Sequence, residues 1–311
     1  MKKDRVLVHL ASGIGNIVFA TPLLIALHEM DFEIDVLIHA DYPETTGLLK
    51  GWHIIRRVMI GQNNSIIQTD KYTHIISAIP PFYWYQYGRV LCGKRNLVPL
   101  PDKELFYQNE QEYYLTFARA LGYPLGSNPY CYLPVQSTQT VYQDLDIVIL
   151  APGSKTGEMS QKRWPYFPEL AERIKNVLIV GTENDMYDCN GNKYIFPTSV
   201  DSLVGKLSLR ETAEVMASAT VVVGNDNGLS HVASALGVNT IIIFGPTPHT
   251  TLGRFPSNVE VVRANLNCEP CWFNNKRFQA CSKGINCLHE ISVDLVAQTV
   301  NKYLTSLAYE N

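Results

Sequence analysis

Short apolar runs rich in β-branched residues recur along this chain, and stretches with helical periodicity lie between them. Runs at 6–10, 34–39, 57–60 and 74–78 have the length of strands, and helical patterns at 23–30 and 105–121 intervene. Repeated strand–helix units predict a parallel sheet with helices on both faces. Residues 122–144, rich in Pro, Gln, Ser, Thr and Tyr, read as a crossover. The pattern then restarts. Strands are predicted at 147–150, 177–180, 221–223, 240–244 and 259–262. Helices are predicted at 167–174, 210–219, 229–236 and 293–308. The expected fold is α/β, two doubly wound domains in series. Residues 1–140 form the first. Residues 141–311 form the second, with a cysteine-rich loop at 268–287 and a closing helix. Ligands in such folds bind at the carboxyl ends of strands, and a cleft between two facing domains is the natural site.

A chain of 311 residues, 46% hydrophobic, can bury the cores of two ordinary domains. Its 26 Lys and Arg against 29 Asp and Glu give a formal net charge of −3, with no dense basic run. That balance argues against a protein built to bind duplex nucleic acid. No apolar stretch approaches the roughly 20 residues of a membrane span. The first apolar run is also shorter than the apolar region of a signal peptide. The composition reads as cytoplasmic, and peripheral contact with the inner membrane remains compatible with it.

Four segments carry chemistry. Gly13-Ile14-Gly15-Asn16 follows the first strand, where glycines let backbone approach a ligand closely. Phe19 stands where a dinucleotide fingerprint needs its third glycine, which disfavours a dinucleotide. Pro22 leaves two readings of the next helix: Thr21 caps it, or a helix from Asn16 is kinked there. Ala151-Pro152-Gly153-Ser154-Lys155 follows a strand and leads to Lys162-Arg163-Trp164-Pro165. Hydroxyls, backbone donors and a fixed cation are what a phosphate needs. Gly224-Asn225-Asp226-Asn227-Gly228-Leu229-Ser230-His231 opens a helix whose N-terminus attracts an anion. Asp226 or Asn227 can cap that helix, and Asp226 suits a sugar hydroxyl. Among seven cysteines, Cys92, Cys131 and Cys189 are scattered. Four cluster as Cys268-x2-Cys271-x9-Cys281-x5-Cys287, with Lys276, Arg277 and Lys283 among them. Four thiolates can close a structural zinc or iron site. Reduced cysteines pinning a loop are the competing reading.

Together these segments resemble the glycosyltransferase family 9 heptosyltransferases. The resemblance rests on "GIGNIVFATPLLIAL", on "PGS…KRWPYFPELAERI", and on "GNDNGLSHVASALGVNTIIIFGPT" followed by "CEPC". It covers most of the chain. It implies the GT-B architecture, two Rossmann-like domains facing an interdomain cleft. It also implies inverting transfer of heptose from ADP-heptose to a lipopolysaccharide-like or other glycan acceptor, with no metal required for catalysis. By that resemblance Lys162 and Ser154 meet the nucleotide phosphates and Glu183 the ribose. Gly15 in the first loop, Asp226, Asn227, Gly228 and His231 in the main motif, and Thr247 complete the donor-binding set. Lys162 and the helix start at Gly228 would carry the departing diphosphate's charge.

The resemblance breaks at Asn16. The heptosyltransferase pattern has an aspartate there, the base for the acceptor hydroxyl. An amide can orient a hydroxyl but cannot take its proton. Asp41, after the 34–39 strand, is the first candidate replacement, and His39 the second. The alternatives are a GT-B glycosyltransferase using a GDP- or UDP-sugar, or a sugar-nucleotide binder without turnover. Aromatics within residues 80–87 could stack on an acceptor sugar or simply pack.

Overall fold

The apolar runs form two separate parallel sheets in the computed structural model, which describes residues 3–61, 71–87, 96–137, 146–271, 281 and 284–306. The chain divides into two units. One is Met1–Pro134 with Thr250–Arg254, and the other is Val135–His249 with Phe255–Asn311. Residues 250–254 therefore belong with the first unit, which a cut at one point in the sequence does not anticipate.

In the first unit, β1 (Arg5–Leu10), β2 (Glu33–His39), β3 (Ile55–Gly61) and β4 (His74–Ser77) lie in the order β3-β2-β1-β4, all parallel. The order reverses beside β1, so the carboxyl ends of β1 and β4 flank a topological switch point. Around the sheet run α1 (Ile14–Phe19), α2 (Thr21–Glu29), α3 (Thr46–Leu49), α4 (Trp84–Tyr87), α5 (Lys103–Gln108) and α6 (Glu110–Arg119).

Two local details resolve sequence ambiguities. Helix starts at Ile14, breaks at Ala20 and resumes with Pro22 in the first turn of α2. Pro22 has no N–H for the Val18 carbonyl, and the Thr21 hydroxyl donates to it instead at 2.7 Å. The single helix predicted at 105–121 is two helices. Asn109 is extended (φ −159°, ψ 97°), and its side chain accepts from the Glu112 N–H at 3.0 Å. A capping asparagine competes with helical continuation, and it leaves Glu110 as the first residue of α6.

In the second unit, β5 (Val148–Ala151), β6 (Val177–Ile179), β7 (Asp201–Ser202), β8 (Val221–Asn225), β9 (Asn239–Ile243) and β10 (Val259–Val262) lie in the order β10-β9-β8-β5-β6-β7. Helices α7 (Phe167–Arg173), α8 (Leu209–Met216), α9 (Gly228–Ala235), α10 (Asn286–His289) and α11 (Val293–Ser306) accompany them. Both faces of β5 are buried. Val148 and Leu150 pack with Trp164 and Phe167, while Ile149 and Ala151 pack with Val222 and Ala233. That two-sided burial is why the strand reads as a continuous apolar run. The edge strand β7 has two exposed residues and no apolar signature. The switch point of this sheet lies between β5 and β8. Among the described residues no helix is long and apolar enough to cross a membrane.

Candidate functional site

Two loops meet at the β5/β8 switch point, and close backbone packing fixes both. A Cβ at Gly224 would stand 2.3 Å from Ser230 Oγ and 3.0 Å from the Ala151 carbonyl, so only glycine fits. A Cβ at Gly153 would collide with the Asp185 carboxyl. Asn225, fully buried, donates to the Pro152 carbonyl and accepts from the Trp164 N–H at 2.9 Å. Asn227 caps α9 by accepting from the Ser230 N–H at 2.9 Å. Its amide also donates to the Ala151 and Gly153 carbonyls, at 2.9 and 2.7 Å. One amide thus ties the helix start to the opposite loop.

Trp164 and Arg163 serve as anchors. The Trp164 indole N–H donates to the Ile291 carbonyl at 3.0 Å. Buried Arg163 donates to Ser154 Oγ (3.0 Å), to the Ser154 carbonyl (2.6 Å) and to the Asn184 carbonyl (2.8 Å). Ser154 Oγ in turn donates to the Met159 carbonyl at 2.8 Å. The hydroxyl expected at the phosphate is therefore engaged within its own loop. Of the two cations beside Trp164, Arg163 braces the loop and Lys162 faces the site.

Lys162 Nζ lies 3.0 Å from Asp226 Oδ2, and His231 Nε2 lies 2.9 Å from Asp226 Oδ1. Asp226 and His231 are buried, and the Lys162 side chain is 14% exposed. Burial alone would raise the Asp226 carboxyl. The Lys162 ammonium and the His231 ring more than offset it and hold the carboxyl well below the usual range. The His231 ring runs nearly parallel to Phe255, with centroids 6.3 Å apart. Gly228 is the first residue of α9. Glu183 is exposed and opens a 3₁₀ turn after β6. Thr247 follows β9 and is buried, and its hydroxyl has no hydrogen-bond partner among the described residues. In sheet order the loops carrying Thr247, Asp226, Lys162 and Glu183 follow the adjacent strands β9, β8, β5 and β6.

The cysteine segment backs the Thr247 loop. The Cys271 N–H donates to the Pro246 carbonyl at 3.0 Å. The Cys287 thiol is pushed up to about 12 by burial, and further by Glu269 and the Cys271, Cys281 and Cys268 sulfurs. Among the described residues no group of three or more His, Cys, Asp or Glu is arranged to hold a metal. Lys276, Arg277, Lys283 and Cys92 lie outside the described residues. Cys131 and Cys189 are buried free thiols.

In the first unit the loop after β1 carries Asn16, within α1 beside Gly15. Asn16 Oδ1 accepts from the Ser12 hydroxyl at 2.6 Å, and its Nδ2 donates to the carboxylate of Glu110. Asp41 meets His39 through its backbone, whose N–H donates to His39 Nδ1 at 3.3 Å. Of the aromatic run, Tyr83, Trp84 and Tyr87 pack with Ala11 and Ile79, while Phe82 and Tyr85 are exposed. Glu110, Asn225 and Phe255 were not singled out in the sequence. The Asn109 cap that places Glu110 is the one signal that could have found it.

Two Rossmann-like units, the second with its charged cluster at a sheet switch point beside a helix start, define a protein of the GT-B class. The model of glycosyltransferase family 9 (heptosyltransferase) matches residues 102–281, and the chain belongs to that family. Lipooligosaccharide heptosyltransferase 2 of Campylobacter jejuni is 26% identical over 173 residues, 51% of this chain and 52% of that protein. The chain thus spans about half the length of this curated relative. The structure of E. coli ADP-heptose lps heptosyltransferase II superposes with a TM-score of 0.70 at 18% identity, covering 98% of this chain and 99% of that one. The E. coli protein TibC, described as a dodecameric iron-containing heptosyltransferase in complex with ADP-D-beta-D-heptose, superposes with a TM-score of 0.68 at 18% identity. It covers 98% of this chain and 77% of that one.

Proposed function

We propose that this chain is an inverting glycosyltransferase that moves heptose from ADP-heptose to a hydroxyl of a lipopolysaccharide-like glycan. The observation that carries the reading is the buried Lys162–Asp226–His231 cluster at the β5/β8 switch point, beside the N-terminus of α9. Lys162 and the α9 N-terminus would neutralise charge as the diphosphate departs. Asp226, ionised and acceptor-only, suits a sugar hydroxyl. Thr247 offers a buried hydroxyl that a ligand would satisfy, and Glu183 stands at the ribose side. The choice of ADP-heptose is supported by the family and by the ligand described for TibC. The second unit holds the donor and the first takes the acceptor. A glycolipid acceptor suits a protein working at the cytoplasmic face of the inner membrane, where exposed Phe82 and Tyr85 are available for contact.

Incubation with ADP-heptose and a lipooligosaccharide core acceptor tests this. The expected result is acceptor-dependent release of ADP and an acceptor heavier by one heptose. Turnover with GDP- or UDP-sugars alone would overturn the donor. ADP release that ignores the acceptor would overturn the transfer.

A further inference from the structure

We infer that the proton-accepting group toward the acceptor hydroxyl is the carboxylate of Glu110, held in place by Asn16. This rests on the glycosyltransferase reading above.

The carboxylate missing at position 16 is present one hydrogen bond away. Glu110 is the first residue of α6 and is 6% exposed. Its carboxylate accepts from Asn16 Nδ2, and Asn16 Oδ1 accepts from Ser12 Oγ. A buried carboxylate persists only where donors and positive potential compensate its lost hydration. Asn16 supplies a donor, and the α6 N-terminus supplies the favourable end of a helix dipole. The identities at 16 and 110 therefore explain each other. Aspartate at 16 would put two carboxylates in hydrogen-bond contact, whereas asparagine turns that contact into an N–H···O bond. Tyr114, fully buried, lies beside both.

The location suits the role. Ser12 and Asn16 follow β1, and the Tyr113 hydroxyl of α6 donates to the Ile79 carbonyl just after β4 at 3.2 Å. β1 and β4 flank the switch point of this sheet. Asp41 follows β2, off that point.

The step balances as a single displacement. The acceptor oxygen bonds to the anomeric carbon of the nucleoside diphosphate sugar as its proton passes to a Glu110 carboxylate oxygen. The bond from the anomeric carbon to the diphosphate oxygen breaks, and its electron pair leaves on the nucleoside diphosphate. Glu110 then releases the proton to water.

The test is a carboxylate swap in the full chain: Glu110→Gln, Asn16→Asp, and the double variant N16D/E110Q. The wild-type rate reports the glycosyltransferase reading, and the ratio of E110Q to wild type reports the base. E110Q is expected to lose about 10²–10⁴-fold in kcat, with the donor KM and thermal stabilisation by ADP unchanged. N16D is expected to melt below wild type through carboxylate repulsion. N16D/E110Q, which returns a single carboxylate to the pair, is expected to regain both melting temperature and at least tenfold in kcat over E110Q. E110Q turning over within about threefold of wild type overturns the inference, and so does loss of turnover confined to Asp41→Asn. A double variant no faster than a folded, ADP-binding E110Q makes Glu110 a structural buttress and overturns it too. A wild type that never transfers sugar removes both readings.

Discussion

Replacing Lys162 with alanine is expected to lower kcat for heptose transfer by about 10²–10³-fold, the loss seen when one preorganised charge-stabilising group is removed. It is also expected to lower the melting temperature, because Asp226 would stay buried without the ammonium that offsets its lost hydration. Breaking a buried ion pair by removing one partner costs about 3–5 kcal/mol. The 14% exposure of Lys162 puts this pair toward the lower end. The pH dependence has a definite sign. The folded carboxyl of Asp226 sits below its ordinary value. Its contribution is therefore complete above the unfolded pKa of about 3.9 and is lost as pH falls toward the folded value. The stability gap between wild type and Lys162→Ala should be widest at neutral pH and close in acid. Lys162→Met, which keeps the stem and drops the charge, should behave like the alanine variant in turnover. Retained turnover in either variant would remove Lys162 from the mechanism.

The second large effect lies in the first unit and concerns stability. His9, in β1, is 1% exposed, and neither ring nitrogen has a hydrogen-bond partner among the described residues. Burial, and then the His39 ring 6.1 Å away, lower its pKa from 6.5 to about 4. The unfolded chain binds a proton at this residue near pH 6.5, and the folded chain resists until about pH 4. Between those values the unfolded state holds more protons, so stability falls as pH falls. A shift of this size corresponds to on the order of 3 kcal/mol at 1.36 kcal/mol per unit, or about 6–12 °C in melting temperature. Comparing wild type with His9→Phe between pH 7 and pH 4 isolates the effect. The wild type should lose markedly more melting temperature than the variant. Parallel losses would show that His9 is not the group being protonated.

The central strands were legible in the sequence because they are parallel and buried on both faces. Such strands read as nearly continuous apolar runs, and β1, β2, β5 and β8 fall on theirs. β7 was not legible, since an exposed two-residue edge strand has no apolar signature. The break at Asn109 was missed because apolar periodicity continues across it, and only the side-chain cap stops the helix. Likewise the residue types of the donor loops were legible, but their division of labour was not. Ser154 and Asn227 carry the expected donor-binding residue types, and Arg163 and Asn225 stand beside them. In the fold their polar atoms hold two loops together, and Lys162, Asp226 and His231 form the charged cluster. Asn16 gave the clearest warning in the sequence, yet its explanation lies in Glu110, 94 positions away. No local pattern connects the two.

On the proposed function, the second unit holds an adenosine diphosphate-sugar on Lys162 and Asp226. Thermal stability against saturating ADP, GDP, UDP and CMP tests it most directly. A ligand at 100 times its dissociation constant adds about 2.7 kcal/mol. The expected result is a clear upward shift with ADP, little or none with the other three, and loss of the ADP shift in Lys162→Ala. Stabilisation by GDP or UDP in place of ADP, or an ADP shift undiminished in Lys162→Ala, would contradict the account.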